Sequence, residues 1–182
     1  MLGMTELVVI AAVAQNGVIG RGAEIPWRIS ADFKRFKALT LGHPCIMGDV
    51  TYESLPAKSR PLPGRENVVL AFDRSYHPDG TTVFHDFEAV LAYVREKRAV
   101  KAFIIGGASI YRLGVPVADT LELTRIHRDY DGDVYFPSFD LDEWDLVAQV
   151  DAESLDAVSD QSVSYSYLTY RRRRSRAGCD GA

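Results

Sequence analysis

Cysteine is almost absent: Cys45 and Cys179 are the only two in 182 residues. One sits in an apolar stretch and the other near the C-terminus, so they give neither a disulfide framework nor the paired spacing of a zinc site. Such usage suits a reducing cytoplasm. Histidine is scarce too. The four, His43, His77, His85 and His127, are scattered, and no Ser/His/acid or Cys/His set for nucleophilic catalysis can be assembled around them. No long hydrophobic run exists. The most apolar stretch, "LVVIAAVA" at 7–14, falls far short of the ~20 residues of a membrane span. It ends in Ala12-Val13-Ala14, as a signal-peptide cleavage site would, but Glu6 precedes it and no Lys or Arg does. The positive n-region of a secretory signal is therefore missing, and the stretch reads as a buried first strand. Positive charge is in deficit over the body of the chain. The net charge is −4 although five Arg and a single Asp fall in 171–182. An acidic body argues against a nucleic-acid groove, and "RRRRSR" reads as a flexible, solvated basic tail over 172–182. Repeats and Pro/Gly/Ser linkers are also absent, which leaves one domain, 1–171, of ordinary size.

What is present is a core-forming pattern, with 47% hydrophobic residues. Apolar strand-like runs recur at 7–14, 44–47, 67–72, 81–84, 101–107 and 120–126. Helical patterns lie between several of them. Residues 30–42, "SADFKRFKALTLG", carry Ser30 as an expected N-cap, apolar Phe33, Phe36 and Leu39, and a terminal glycine. Residues 86–99 place Val90, Leu91, Tyr93 and Val94 on one face with a basic last turn. Apolar strands alternating with helices predict an α/β protein with a mostly parallel eight-stranded sheet and flanking helices. The C-terminal stretches 143–152 and 162–171 alternate polar and apolar without a helix between them, which predicts an antiparallel hairpin closing the sheet.

Four stretches carry chemistry. In "VIGRGAEIPWRISADFKRF" (18–36) a glycine-bearing loop leads through Trp27 into a helix. Asp32 and Phe36 lie one turn apart on one face of it, beside Phe33. A carboxylate next to aromatic rings can hold a flat, hydrogen-bonding heterocycle; an acid in a first turn also simply complements the helix dipole. In "RPLPGREN" (60–67) a proline-stiffened turn holds Arg60 and Arg65, either surface charges or guanidinium forks for a carboxylate. "CIMGDVTYESL" (45–55) and "FIIGGASIY" (103–111) are each strand, glycine, helix, a geometry that brings a ligand close to backbone N–H groups. Neither has Rossmann or P-loop spacing. The acidic run Asp129, Asp131, Asp133 fails as a calcium loop, because its glycine sits at the fourth position and no Glu follows at the twelfth. No metal site is expected.

Taken in order, "VIAAVAQNGVIG", "IPW", "ADFKRFKALT", "IMG", "TYESL", "RPLPGRENVVL", "IIGGASIY", "LTRI", "DGDVYFP" and "DEWDLV" resemble dihydrofolate reductase from about Leu7 to Arg171. "SLPAKSRPLPGREN" is similar to bacterial, in particular actinobacterial, members. The resemblance implies reduction of 7,8-dihydrofolate to tetrahydrofolate with NADPH in a cytoplasmic, monomeric enzyme that also binds antifolates. It implies that Asp32 holds the pterin, with Thr124 supporting it and Trp27 positioning a water. Ile10, Phe33, Phe36, Leu55, Leu62, Ile105 and Tyr111 would enclose the substrate, and Arg65, helped by Arg60, would clamp its glutamate. On the cofactor side it implies Ala12, Ile19 and Gly20 at the nicotinamide, and Gly106, Gly107, Ala108, Ser109 and Ile110 at the pyrophosphate. Gly48, Asp49, Val50, Thr51 and Arg74 would lie at the adenosine. It further implies a cis peptide at Gly106–Gly107, and Asp133 holding the 18–28 loop closed as a lid.

The sequence departs from the family at the adenosine end. Asp49 and Val50 stand where the family has basic residues, and Ala71-Phe72-Asp73 replace hydroxyl side chains. The expectation is weakened discrimination, with NADPH retained through Arg74 and NADH tolerated. Two alternatives remain open at this point: the riboflavin-pathway pyrimidine reductase, and a non-catalytic pterin- or nucleotide-binding module.

Overall fold

The computed structural model describes residues 4–173; most of the expected basic tail lies outside the described residues. Eight strands form one sheet: β1 (Glu6–Ala14), β3 (Cys45–Gly48), β4 (Asn67–Leu70), β5 (Thr81–Phe84), β6 (Lys101–Gly106), β7 (Thr120–Ile126), β9 (Trp144–Asp156) and β10 (Gln161–Arg172). Their order is β5-β4-β3-β6-β1-β7-β10-β9. Pairing is parallel from β5 through β7 and antiparallel at β10 and β9. The mostly parallel eight-stranded sheet and its C-terminal hairpin are thus as expected. The hairpin strands are longer than the alternation suggested, and a register shift at Thr169/Tyr170 lets β9 follow the twist. A second, two-stranded ribbon, β2 (Val18–Gly20) with β8 (Val134–Tyr135), escaped the sequence reading because its strands are too short to show a period.

Four helices flank the large sheet: α1 (Ser30–Thr40), α2 (Asp49–Ser54), α3 (Phe87–Glu96) and α4 (Ala108–Gly114). Strand side chains alternate between faces. Val8, Ile10, Cys45, Met47 and Phe103 pack with Phe36 and Leu39 of α1 and Tyr52 of α2. Val9, Ile46, Ile104 and Leu121 pack with Val90, Leu91 and Val94 of α3 and Ile110 of α4. Each fully buried aliphatic or aromatic side chain there contributes roughly 1.5–3 kcal/mol.

Two expectations need correction. Ser30 does not cap α1: the N-cap position is the extended Ile29, with no side-chain cap bond. Ile29 is completely buried with Trp27 and Ile126, so packing rather than a hydroxyl fixes the start of the helix. The domain also runs past residue 171. Arg172 lies in β10 and is docked: its Nε and Nη2 donate to the carbonyls of Ala118 and Val115 (2.8 and 2.7 Å), Nη1 pairs with Glu143, and the guanidinium stacks on Trp144 at 4.3 Å. A run of arginines carries no periodicity that marks this one as anchored.

Candidate active site

The start of α1 lies against the end of β7, and this sets the first half of the site. Thr124 Oγ1 donates to Asp32 Oδ1 at 2.5 Å. Asp32 is set back in the cleft; burial raises its pKa above the usual carboxylate value, against the lowering effects of the Thr124 hydroxyl and of Arg35. Arg35, one turn along α1, is held by Glu122 at 2.6 Å and stacks on Tyr167 at 4.4 Å. Trp27 is buried and packs on Tyr130 with ring centroids 4.9 Å apart. Phe36, Leu55, Leu62, Ile10 and Ile105 gather in one cluster beside it, while Phe33 is about half exposed. The far end of this cleft carries Arg65, whose Nη1 donates to Thr40 Oγ1 and whose Nε donates to the Pro63 carbonyl (3.2 and 3.1 Å). Asn67 fixes that turn. It is buried; its Oδ1 accepts from Leu62 N–H, and its amide donates to the Leu62 and Arg65 carbonyls. Asn67 stands where the turn meets the next strand, and no local pattern marks it as the residue that fixes both.

Arg60 does not join Arg65. Its Nη1 donates to both the main-chain carbonyl (2.7 Å) and the carboxylate (2.8 Å) of Glu53, whose other oxygen accepts from Tyr76 Oη at 2.6 Å. The expected helper of the carboxylate clamp is thus committed to α2.

The second half is a groove of about 410 Å³ outside the carboxyl ends of β1, β3 and β6, lined by Ala12, Ile19, Gly20, Gly48, Asp49, Val50, Thr51, Ile105, Gly106, Gly107, Ala108, Ser109 and Tyr111. The strand–glycine–helix turns meet here as expected. Gly106 has φ +115, which strains any side chain, and a Cβ there would press on the Tyr111 ring at 3.1 Å. The Gly106–Gly107 peptide is cis, as the resemblance implied. Tyr111 is buried, and its hydroxyl lies 2.8 Å from both the Ile10 and the Ile105 carbonyl oxygens, which share its one proton; burial raises its pKa well above the ordinary phenol value. Two expected members are displaced. Ile110 is buried beneath Gly48 and supports the groove from the core side. Arg74 lies in the exposed turn after β4 and does not line the groove; its neighbour Asp73 bonds Ser75 instead. The cation that does line the groove is Arg112, together with Glu24 and Ile25, none of which the sequence reading singled out. Arg112 follows Tyr111 directly on α4, and that placement was the available signal.

A lid lies over the groove. The β2–β8 ribbon is its base, and Asp133 Oδ1 accepts from Gly22 N–H at 2.7 Å, the contact the resemblance implied. Gly132 lets the two segments touch, since a Cβ there would lie 2.5 Å from the Gly20 carbonyl oxygen. Asp156, at the hairpin turn, ties down the other end. It is fully buried and accepts from Arg28 N–H, Val158 N–H, Ser159 Oγ and Tyr130 Oη, all within 3.0 Å. Burial pushes its carboxyl up, but these bonds prevail and its pKa is lowered. It sits 128 residues from Arg28, whose N–H it binds, so no local pattern reveals it.

Sheet order and groove together define a class: α/β proteins that take an elongated ligand at the carboxyl edge of a mostly parallel sheet. The family model for dihydrofolate reductase matches residues 6–172. The dihydrofolate reductase of Neisseria meningitidis serogroup A is 40% identical over 169 residues, 93% of this chain and 99% of that protein. That of Mycobacterium leprae is 40% identical over 144 residues, 78% and 86% of the respective chains. The solved structure of Enterococcus faecalis dihydrofolate reductase complexed with NADP(H) aligns with a TM-score of 0.83 at 32% identity, covering 93% of this chain and 97% of that one. The chain belongs to the dihydrofolate reductase family, and so to the NADPH-dependent oxidoreductases that reduce dihydrofolate.

Proposed function

We propose that Asp32 and the groove act together in reducing 7,8-dihydrofolate to 5,6,7,8-tetrahydrofolate in the cytoplasm. The observation that carries this reading is the Asp32–Thr124 pair, a carboxylate fixed at the sheet edge beside Ile10 and Phe36 and next to the groove that ends at Ala12 and Tyr111. An ionised carboxylate accepts two parallel donors, which matches the N3–H and 2-amino group of a pterin. Thr124 holds one oxygen, so the ring can bind in one orientation. Phe36, Leu55 and Leu62 exclude water from the ring, and Arg65 takes the glutamate carboxylate. The groove fits a dinucleotide: its floor is glycine, a Cβ on Gly107 would meet Thr51 Oγ1 at 3.2 Å, and Arg112 supplies positive charge. NADPH, when bound, supplies the hydride that reduces the pterin at C6. In this reading a water admitted past the lid carries the proton to N5, while Asp32 polarises the ring from the other side.

NADPH is the cofactor in this reading and NADH is accepted, because Asp49 heads α2 and Glu53 lies one turn on. A lost charge-assisted hydrogen bond costs about 1.5–3 kcal/mol, or ten- to a hundredfold in affinity. Dihydrofolate-dependent loss of nicotinamide absorbance tests the activity, and its absence with both cofactors overturns the reading. The ratio of kcat/KM for NADPH over NADH tests the specificity. Asp49→Arg raises it at least tenfold; a large ratio left unchanged by Asp49→Arg overturns the role of Asp49.

A further inference from the structure

A second cavity, of about 400 Å³, opens on the opposite face of the sheet from Asp32. There α3 packs on β4 and β5, and α4 packs on β3 and β6, which leaves the same face of β7 and β10 to be covered by the segment 136–141. The cavity lies between that segment and Val13, Leu123 and Leu168. Its size falls in the range of small-molecule sites. Aromatic rings form one wall in an edge-to-face series: Phe136 and Phe139 have centroids 6.2 Å apart at 89°, and Phe139 and Tyr170 are 6.1 Å apart at 71°. Arg125 is the single charged side chain on its lining. Its Nη2 donates to the Gln15 carbonyl at 2.9 Å, and it has no carboxylate partner among the described residues. The remaining guanidinium donors are therefore available to an anion.

We infer that this cavity is a second binding site, for a flat aromatic carboxylic acid whose ring lies against Phe136, Phe139 and Leu168 and whose carboxylate is bound by Arg125. An apolar floor with one unpaired guanidinium favours that class over a neutral hydrocarbon or a polyanion, because one charge is matched and the rest of the ligand is desolvated. Occupancy reaches the reductase site through two contacts. Phe136 N–H donates to the Gly17 carbonyl at the base of the lid ribbon (3.0 Å), and the Phe136 ring packs on Tyr111 at 5.1 Å. Gly17 and Phe136 both line the cavity, so a ligand there bears on the residues on which the lid turns.

The probe is 2-naphthoate, titrated calorimetrically into the enzyme saturated with NADPH and methotrexate, which fills the folate cleft; methotrexate binding is measured separately, so a failed folate site is recognised by itself. Saturable binding is expected, at least tenfold weaker for 2-naphthamide and for Arg125→Gln, and abolished by Ser138→Trp, which fills the cavity from an exposed position. Absence of saturable binding at millimolar probe, or binding unaffected by both Arg125→Gln and Ser138→Trp, overturns the site. Coupling to the lid predicts that affinity differs at least threefold between the methotrexate complexes with and without NADPH, by reciprocity of linkage; equal affinities overturn the coupling.

Discussion

Asp32 is held at a cost that the fold imposes. Burial raises its pKa, so the folded protein prefers the protonated form more than the unfolded chain does. Folding therefore becomes relatively less favourable as pH rises from the ordinary carboxylate range through the raised folded value, and the penalty is absent below that window. Asp32→Asn is expected to unfold at higher urea than the parent at pH 7, with the gap closing near pH 3. The same variant loses turnover by on the order of a hundredfold at neutral pH and recovers part of it in acid, where the substrate is already protonated; full activity at pH 7 would remove Asp32 from the mechanism. Thr124→Val isolates the supporting hydroxyl. That bond lowers the Asp32 pKa, so its loss moves the acid limb of the kcat/KM profile upward and costs about 1 kcal/mol of stability. An unmoved profile would make Thr124 a packing residue only.

At the scale of elements, the β2–β8 ribbon and the turn of the β9–β10 hairpin decide how the loop over the groove is held. Asp133 and Asp156 each reach across more than a hundred residues to bind its backbone. They differ in burial, since Asp133 is exposed and Asp156 is fully enclosed. Losing the exposed contact changes how long the lid stays shut rather than whether the protein folds. Asp133→Ala is expected to lower kcat three- to tenfold and speed cofactor release in stopped-flow fluorescence, with an unchanged urea midpoint. A shifted midpoint with unchanged release would make the contact structural.

Over the whole molecule, the last strand is locked to the chain segment after α4. Arg172 binds two carbonyls there, pairs with Glu143 and covers Trp144. Arg172→Ala is expected to cost about 2–4 kcal/mol, read as a lower urea midpoint at constant slope, with KM values unchanged. The sheet order shows why this closure matters: β10 is the neighbour of β7, and β7 carries Thr124. The C-terminal strand thereby backs the strand that carries Thr124 along its whole length.

The alternation of apolar strands with amphipathic helices, and the switch to period two after residue 143, determined the α/β class and the closing hairpin, because side-chain periodicity is a local property of helix and strand. The ordered motifs determined the family, and with it where to expect Asp32, Arg65 and the Gly106–Gly107 turn. Tertiary structure alone decided where the cations lie. Arg60 is taken by Glu53, Arg74 stays outside the groove, Arg112 lines it and Arg172 anchors a strand. A guanidinium on a flexible stem finds its partner only when distant elements converge, and nothing in its immediate sequence encodes that partner. The same reason hid Asn67 and Asp156, whose polar groups are satisfied by backbone brought to them by the fold.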